Sequence, residues 1–141
     1  MKFDNMPDNM KSTEVFFRLE RCANIFSRLS SIIPRQLLAV VQTIHGELCE
    51  SLVLVSKAGN EPIPKKLEYL TLAERKLFYL YNRIQYLVEA RAISIGQANE
   101  FTAELKEAYT QTRKWLNATR RDMANHQRQE RACLKDTRDT G

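Results

Sequence analysis

The sequence predicts an all-α domain built as an up-down-up-down four-helix bundle, and three observations predict it. Four segments repeat apolar residues at alternating three- and four-residue intervals, the spacing of one helix face. Glycine and proline number only four each, and Pro34, Gly59, Pro62 and Pro64 fall where the apolar stripes break. Nowhere does the chain alternate apolar and polar residues as a half-buried strand does.

Residues 1–12, with Pro7 among Asn and Asp, show no apolar period and are expected to form a flexible leader. Ser12 or Thr13 is suited to cap helix 1, with Glu14 near the positive end of its dipole. Val15, Leu19, Cys22, Phe26, Leu29 and Ile33 then make one stripe, and Pro34 turns the corner. Helix 2 follows with Leu37, Val41, Ile44, Leu48, Leu52 and Val55 inward, and Gly59 is suited to a left-handed stop.

Helix 3 is expected over Lys65 to Arg91, with Leu70, Ala73, Leu77, Leu80, Ile84 and Leu87 as its seam. Tyr69, Phe78, Tyr79, Tyr81 and Tyr86 surround that seam, more apolar surface than one bundle core covers, so packing between subunits is expected, with a wide intramolecular groove as the alternative. Ser94 and Gln97 have capping-box spacing and open helix 4, whose seam is Ala98, Phe101, Leu105, Ala108, Thr112, Trp115 and Thr119. The bundle is thus expected over 13–121, with a basic, frayed or disordered tail over 122–141.

A chain of 141 residues has the length of one domain, able to bury a core without disulfides or metal. Three cysteines and no secretory leader point to a reducing compartment, the cytoplasm. Charges interrupt every apolar run before the roughly 20 residues of a spanning helix, so a soluble protein without a membrane partner is expected.

His45 and Cys49 are four apart, with Cys22 able to face them, but the set lacks a fourth ligand and no metal is expected. Neither His45 nor His126 stands near a nucleophile and an orienting carboxylate, and there is no glycine-rich phosphate loop. The chain reads as non-enzymatic and without a cofactor.

Basic residues carry the stronger pattern, within a net charge of +5. Lys106, Arg113 and Arg120 are seven apart, as are Lys114, Arg121, Arg128 and Lys135, so a continued helix 4 presents two adjacent cationic rows. Arg21, Arg28 and Arg35 repeat the interval along helix 1. These rows suit the phosphate backbone of nucleic acid, although Glu104, Glu107, Asp122 and Glu130 dilute them.

Leu19-Glu20-Arg21, the Ser31-Ile32-Ile33-Pro34-Arg35 corner, Ala58-Gly59, Lys66-Leu67, the Ile93-to-Gln97 corner and Trp115 together resemble the accessory variability determinant family of diversity-generating retroelements. The likeness spans approximately Phe17 to Arg120, and the extension past Arg120 departs from it. That family is similar to the four-helix-bundle proteins of ribosomal-RNA intervening sequences. The resemblance implies a homo-oligomer, a pentameric barrel, that is a non-catalytic partner of reverse transcriptase and of RNA and DNA during mutagenic copying. Combined with this resemblance, the cationic rows put the expected binding on the bundle surface, at Arg21, Arg28, Arg35, Lys106, Arg113, Lys114, Arg120 and Arg121, and give the tail after Arg121 little part. Bundle proteins of the intervening-sequence type and helical protein-protein adaptors are the alternatives.

Overall fold

The computed structural model describes residues 2–140, with side chains through 137; Met1 and Gly141, the outermost residues of the expected leader and tail, lie outside them. Four helices, α1 (Asp8–Ser30), α2 (Leu38–Ala58), α3 (Lys65–Glu89) and α4 (Ile95–Thr140), form an all-α bundle, and the described residues contain no strand. Short 3-10 turns at Phe3–Asn5 and Arg35–Leu37 precede α1 and α2. The closely packed pairs are α1–α2, α2–α3, α3–α4 and α4–α1, a square arrangement. Consecutive helices are antiparallel: Ser12 near the start of α1 meets Val55 near the end of α2, and Glu47 on α2 meets Arg83 late in α3.

The predicted seams of α3 and α4 are buried at every position, because a 3.6-residue period keeps those side chains on one face. In α1 the seam residues Val15, Leu19, Cys22, Phe26 and Leu29 are buried while Ile33, past the helix end, is half-buried. Of the stripe expected for helix 2, Leu37, in the 3-10 turn before α2, and Leu52 are half-buried, and Ser51 of α2 is enclosed instead, its hydroxyl donating to the Glu47 carbonyl at 2.7 Å. By length and mean hydropathy of 1.4, Arg35–Ala58 is apolar enough to cross a membrane, but a core helix of a bundle meets the same description. Here its Val41, Ile44, Leu48 and Val55 belong to the common core.

The described residues of the expected leader pack on the bundle. Helix α1 begins at Asp8, after Pro7. Asp8 joins two other helices: Trp115 Nε1 donates to its Oδ1 at 3.0 Å, and Lys66 pairs with its Oδ2. Lys11 is buried with its ammonium 5.7 Å from the centre of the Phe3 ring, which packs on the core. Ser12 is no cap; its hydroxyl donates to the Val55 carbonyl at 2.9 Å, tying α1 to the end of α2.

Gly59 serves a different purpose from the left-handed stop. Its φ of −68° is right-handed, and a Cβ built there lies 2.4 Å from Ser12 Cβ. The residue is small so that the α2 end can approach α1. Gly59→Ala is therefore expected to destabilise the bundle by about 1–3 kcal/mol through overpacking, read as a lower urea midpoint at unchanged slope.

A left-handed stop is found at the end of α3, at Arg91, with φ 60°. Ala92 N–H donates to the Leu87 carbonyl at 2.9 Å and Arg91 N–H to that of Val88 at 3.0 Å, the two bonds of a Schellman ending. An L side chain there is strained by roughly 1 kcal/mol, so Arg91→Gly is expected to raise the midpoint by a fraction of that. Ser94 and Gln97 then form the reciprocal capping box, Ser94 N–H to Gln97 Oε1 at 2.8 Å and Gln97 N–H to Ser94 Oγ at 3.0 Å.

Helix α4 is 46 residues long, about 69 Å at the standard rise, against about 38 Å for the 25 residues of α3. Its last buried side chain is Thr119, so roughly 30 Å of helix stands beyond the core. The tail expected to fray is helical through Thr140.

Candidate nucleic-acid interface

Seven of the eight expected cations separate into two groups, and Arg35 joins neither. Arg21 and Arg28 lie along the α1–α4 groove, where Arg21 Nη1 is 3.6 Å from Glu104 Oε1 and Arg28 Nη2 is 3.6 Å from Glu100 Oε1. Both arginines stay about two-thirds exposed, so these pairs stabilise little, yet each places a carboxylate where a phosphate would sit. Arg35 does not extend their row. Helix α1 ends at Ser30, and Arg35 opens the 3-10 turn before α2, so the seven-residue interval has no common helix to act on.

Between α1 and α4, Arg18 is held more firmly than any of these. Its Nε donates to Gln111 Oε1 at 3.1 Å, Nη1 to Glu104 Oε2 at 3.3 Å, and Nη2 to Glu14 Oε1 at 3.4 Å. This network occupies the guanidinium internally and draws Glu104 into the groove beside Arg21. Sequence periodicity does not expose it, since it depends on the register of α1 against α4.

On α4 the cations are of another kind. Lys106, Arg113, Lys114, Arg120 and Arg121 are all exposed, and among the described residues no carboxylate lies within 4.0 Å of any of them. Arg120 reaches the Asn117 amide oxygen at 3.5 Å. Core residues of α4 such as Phe101, Ala108, Thr112 and Trp115 point to the opposite side, which fixes this cationic face toward solvent. Unpaired, solvent-facing positive charge on a rigid rod is what a polyanion meets without first displacing a carboxylate.

Helix α3 carries apolar surface on both flanks. Toward α2, exposed Val53, Leu72, Tyr79 and Tyr86 surround two neutralised pairs, Lys76 with Glu50 and Arg83 Nε with Glu47 Oε1 at 2.6 Å. Glu47 Oε2 is buried without a hydrogen-bond partner in the chain. Toward α4, Leu77, Phe78, Tyr81, Leu105 and Tyr109 line a groove edged by Lys106. Exposed aromatics beside internally matched charges have the composition of a protein-binding surface.

His45 packs its ring 4.9 Å from that of Phe26, and Cys49 is exposed while Cys22 is enclosed. Among the described residues no three His, Cys, Asp or Glu side chains gather for a metal. Burial pushes the Cys22 thiol up to about 12, and the negative charge of Glu104 adds to the shift. The folded state thus holds that proton more tightly than the unfolded one. Its contribution to stability is complete below the ordinary thiol value of 9.0 and declines as pH rises toward 12.

No family model, no curated protein and no solved structure matches the chain.

Proposed function

We propose that the chain is a non-catalytic accessory protein of a diversity-generating retroelement, acting in the cytoplasm as a homo-oligomer, a pentameric barrel, that binds reverse transcriptase and template RNA or cDNA. The observation that carries this reading is the division of the surface. One side of the bundle offers the unpaired cations of α4, and the flanks of α3 offer aromatics among neutralised ion pairs. The first suits phosphate and the second suits protein, which is the division of labour an accessory factor of a polymerase needs. The family resemblance over Phe17 to Arg120 supplies the names of the partners.

A purely protein-binding adaptor is favoured by the α3 aromatics alone, and salt separates it from the first reading. Neutralising about four or five phosphates gives a slope of roughly −3 to −4 for log K against log salt with single-stranded RNA. Fluorescence anisotropy with labelled RNA across that range is expected to show this slope. Light scattering is expected to give a multiple of 16.4 kDa, five copies for the barrel, and added reverse transcriptase is expected to co-elute. Absence of RNA binding at low salt, with reverse transcriptase ignored, contradicts the proposal.

A further inference from the structure

Continuity of α4 from Ile95 to Thr140 places the bundle cations and those of the extension on one rod, and the angular positions along that rod have a pattern. At about 100° per residue, Arg113, Arg120 and Arg131 fall along one edge of a face, and Lys114, Arg121 and Arg128 along a second edge about 60 to 100° away. Between the two edges lie Asn117 and Ala124, a small amide and a methyl. Asp122 and Glu130 fall on the far side of the rod, where Glu130 is 3.1 Å from His126 Nε2. From Arg113 to Arg131 six cations outnumber two carboxylates, and the two signs are segregated by face.

Two cationic edges flanking an uncharged, narrow centre line match a groove bounded by two phosphate strands, rather than a single strand. A helix with its side chains is about 10–12 Å across, and the major groove of B-form DNA, about 12 Å wide, admits it, whereas the major groove of A-form RNA is deep and narrow. Access is open as well: every described side chain from Arg120 onward is exposed or half-exposed, and within the bundle the same face is the one opposite the core. Asparagine and the alanine methyl are side chains that contact adenine and thymine edges when a helix lies in that groove.

Resting on the nucleic-acid reading above, we infer that α4 from Arg113 to about Arg131 is a groove-binding helix whose ligand is duplex DNA in B form, with the projecting extension as half of the contact. The reach from Arg113 to Arg131 is about 27 Å of axis, nearly one turn of B-form DNA at about 34 Å.

The test measures three probes on the full chain: a labelled DNA duplex of roughly two turns, an RNA duplex of the same sequence, and the single strand. The DNA duplex is expected to bind at least about tenfold more tightly than the RNA duplex. Ala124→Trp leaves the charge unchanged at an exposed position and fills the centre line, so DNA-duplex affinity is expected to fall about tenfold while the single strand changes less than about twofold. Arg128→Glu with Arg131→Glu is expected to cost the duplex about tenfold or more. RNA duplex bound as well as DNA, or an inert Ala124→Trp, or an inert double reversal, overturns the groove inference and leaves backbone binding standing. No binding of any of the three probes removes the nucleic-acid reading itself.

Discussion

Replacing Trp115 by alanine is expected to cost the bundle about 3–5 kcal/mol. The indole is 1% exposed, the largest of the fully buried side chains, and it closes the end of the core where α4 passes the start of α1. Truncation removes its packing and leaves a cavity, and it also takes the N–H from Asp8, whose remaining partner is Lys66. Trp115→Phe is the useful companion. It retains a ring and removes the donor, so a loss of about 1–2 kcal/mol is expected for it. Since Trp115 is the single tryptophan, circular dichroism rather than fluorescence reads both urea transitions. Domains of this size have roughly 5–15 kcal/mol in total, so the alanine variant is expected to be partly unfolded at 37 °C. An alanine variant within about 1 kcal/mol of the parent contradicts the assignment of Trp115 as the closing residue.

The second large effect concerns binding rather than stability. Reversing Arg113, Lys114, Arg120 and Arg121 together to Glu removes four unpaired cations and adds four charges that repel phosphate. RNA affinity at about 100 mM salt is expected to fall at least a hundredfold, with a salt slope near zero or inverted. Arg21→Glu with Arg28→Glu is expected to cost less than about threefold, because Glu104 and Glu100 already stand against those arginines. Exposed reversals change stability by about 0.5 kcal/mol each, so a circular dichroism melt shows whether the quadruple variant is folded. Equal losses from the two sets contradict the separation of paired from unpaired cations.

The bundle was legible in the sequence because burial imposes a period, and a period survives without knowledge of the neighbours. Every predicted seam residue of α3 and α4 is buried for that reason. What periodicity does not carry is the chemistry between helices. Ser12 looks like a cap and is a cross-link to Val55; Gly59 looks like a left-handed stop and is a place where α1 comes too close for a methyl group. In both cases the residue type has two common uses, and local sequence reveals only the local one. The left-handed stop at the end of α3, Arg91, gives no compositional sign, since arginine is not selected for that backbone region.

The geometry of the candidate site was legible in part. The α4 rows are where their seven-residue interval places them, but the α1 row loses Arg35 to the corner and has Arg21 and Arg28 beside carboxylates of α4. Pairing across a groove depends on register, which no single helix encodes. The extension was hidden for the opposite reason. Its helix continues with few apolar residues, carried by good helix formers and by local pairs such as His126 with Glu130, so a reading based on core-facing stripes takes it for a frayed end.

Amide hydrogen exchange of the full chain, free and with an excess of single-stranded RNA or of the DNA duplex, tests most directly whether the proposed binding resides on α4. The free extension is a solvent-exposed helix without tertiary packing and is expected to exchange quickly, while the seams of the bundle exchange slowly. On binding, protection is expected to rise over Arg113 to Lys135 and to stay unchanged at Arg21 and Arg28. Protection confined to α1, or to the α2–α3 flank, with the 113–135 segment exchanging as fast as before, contradicts the account.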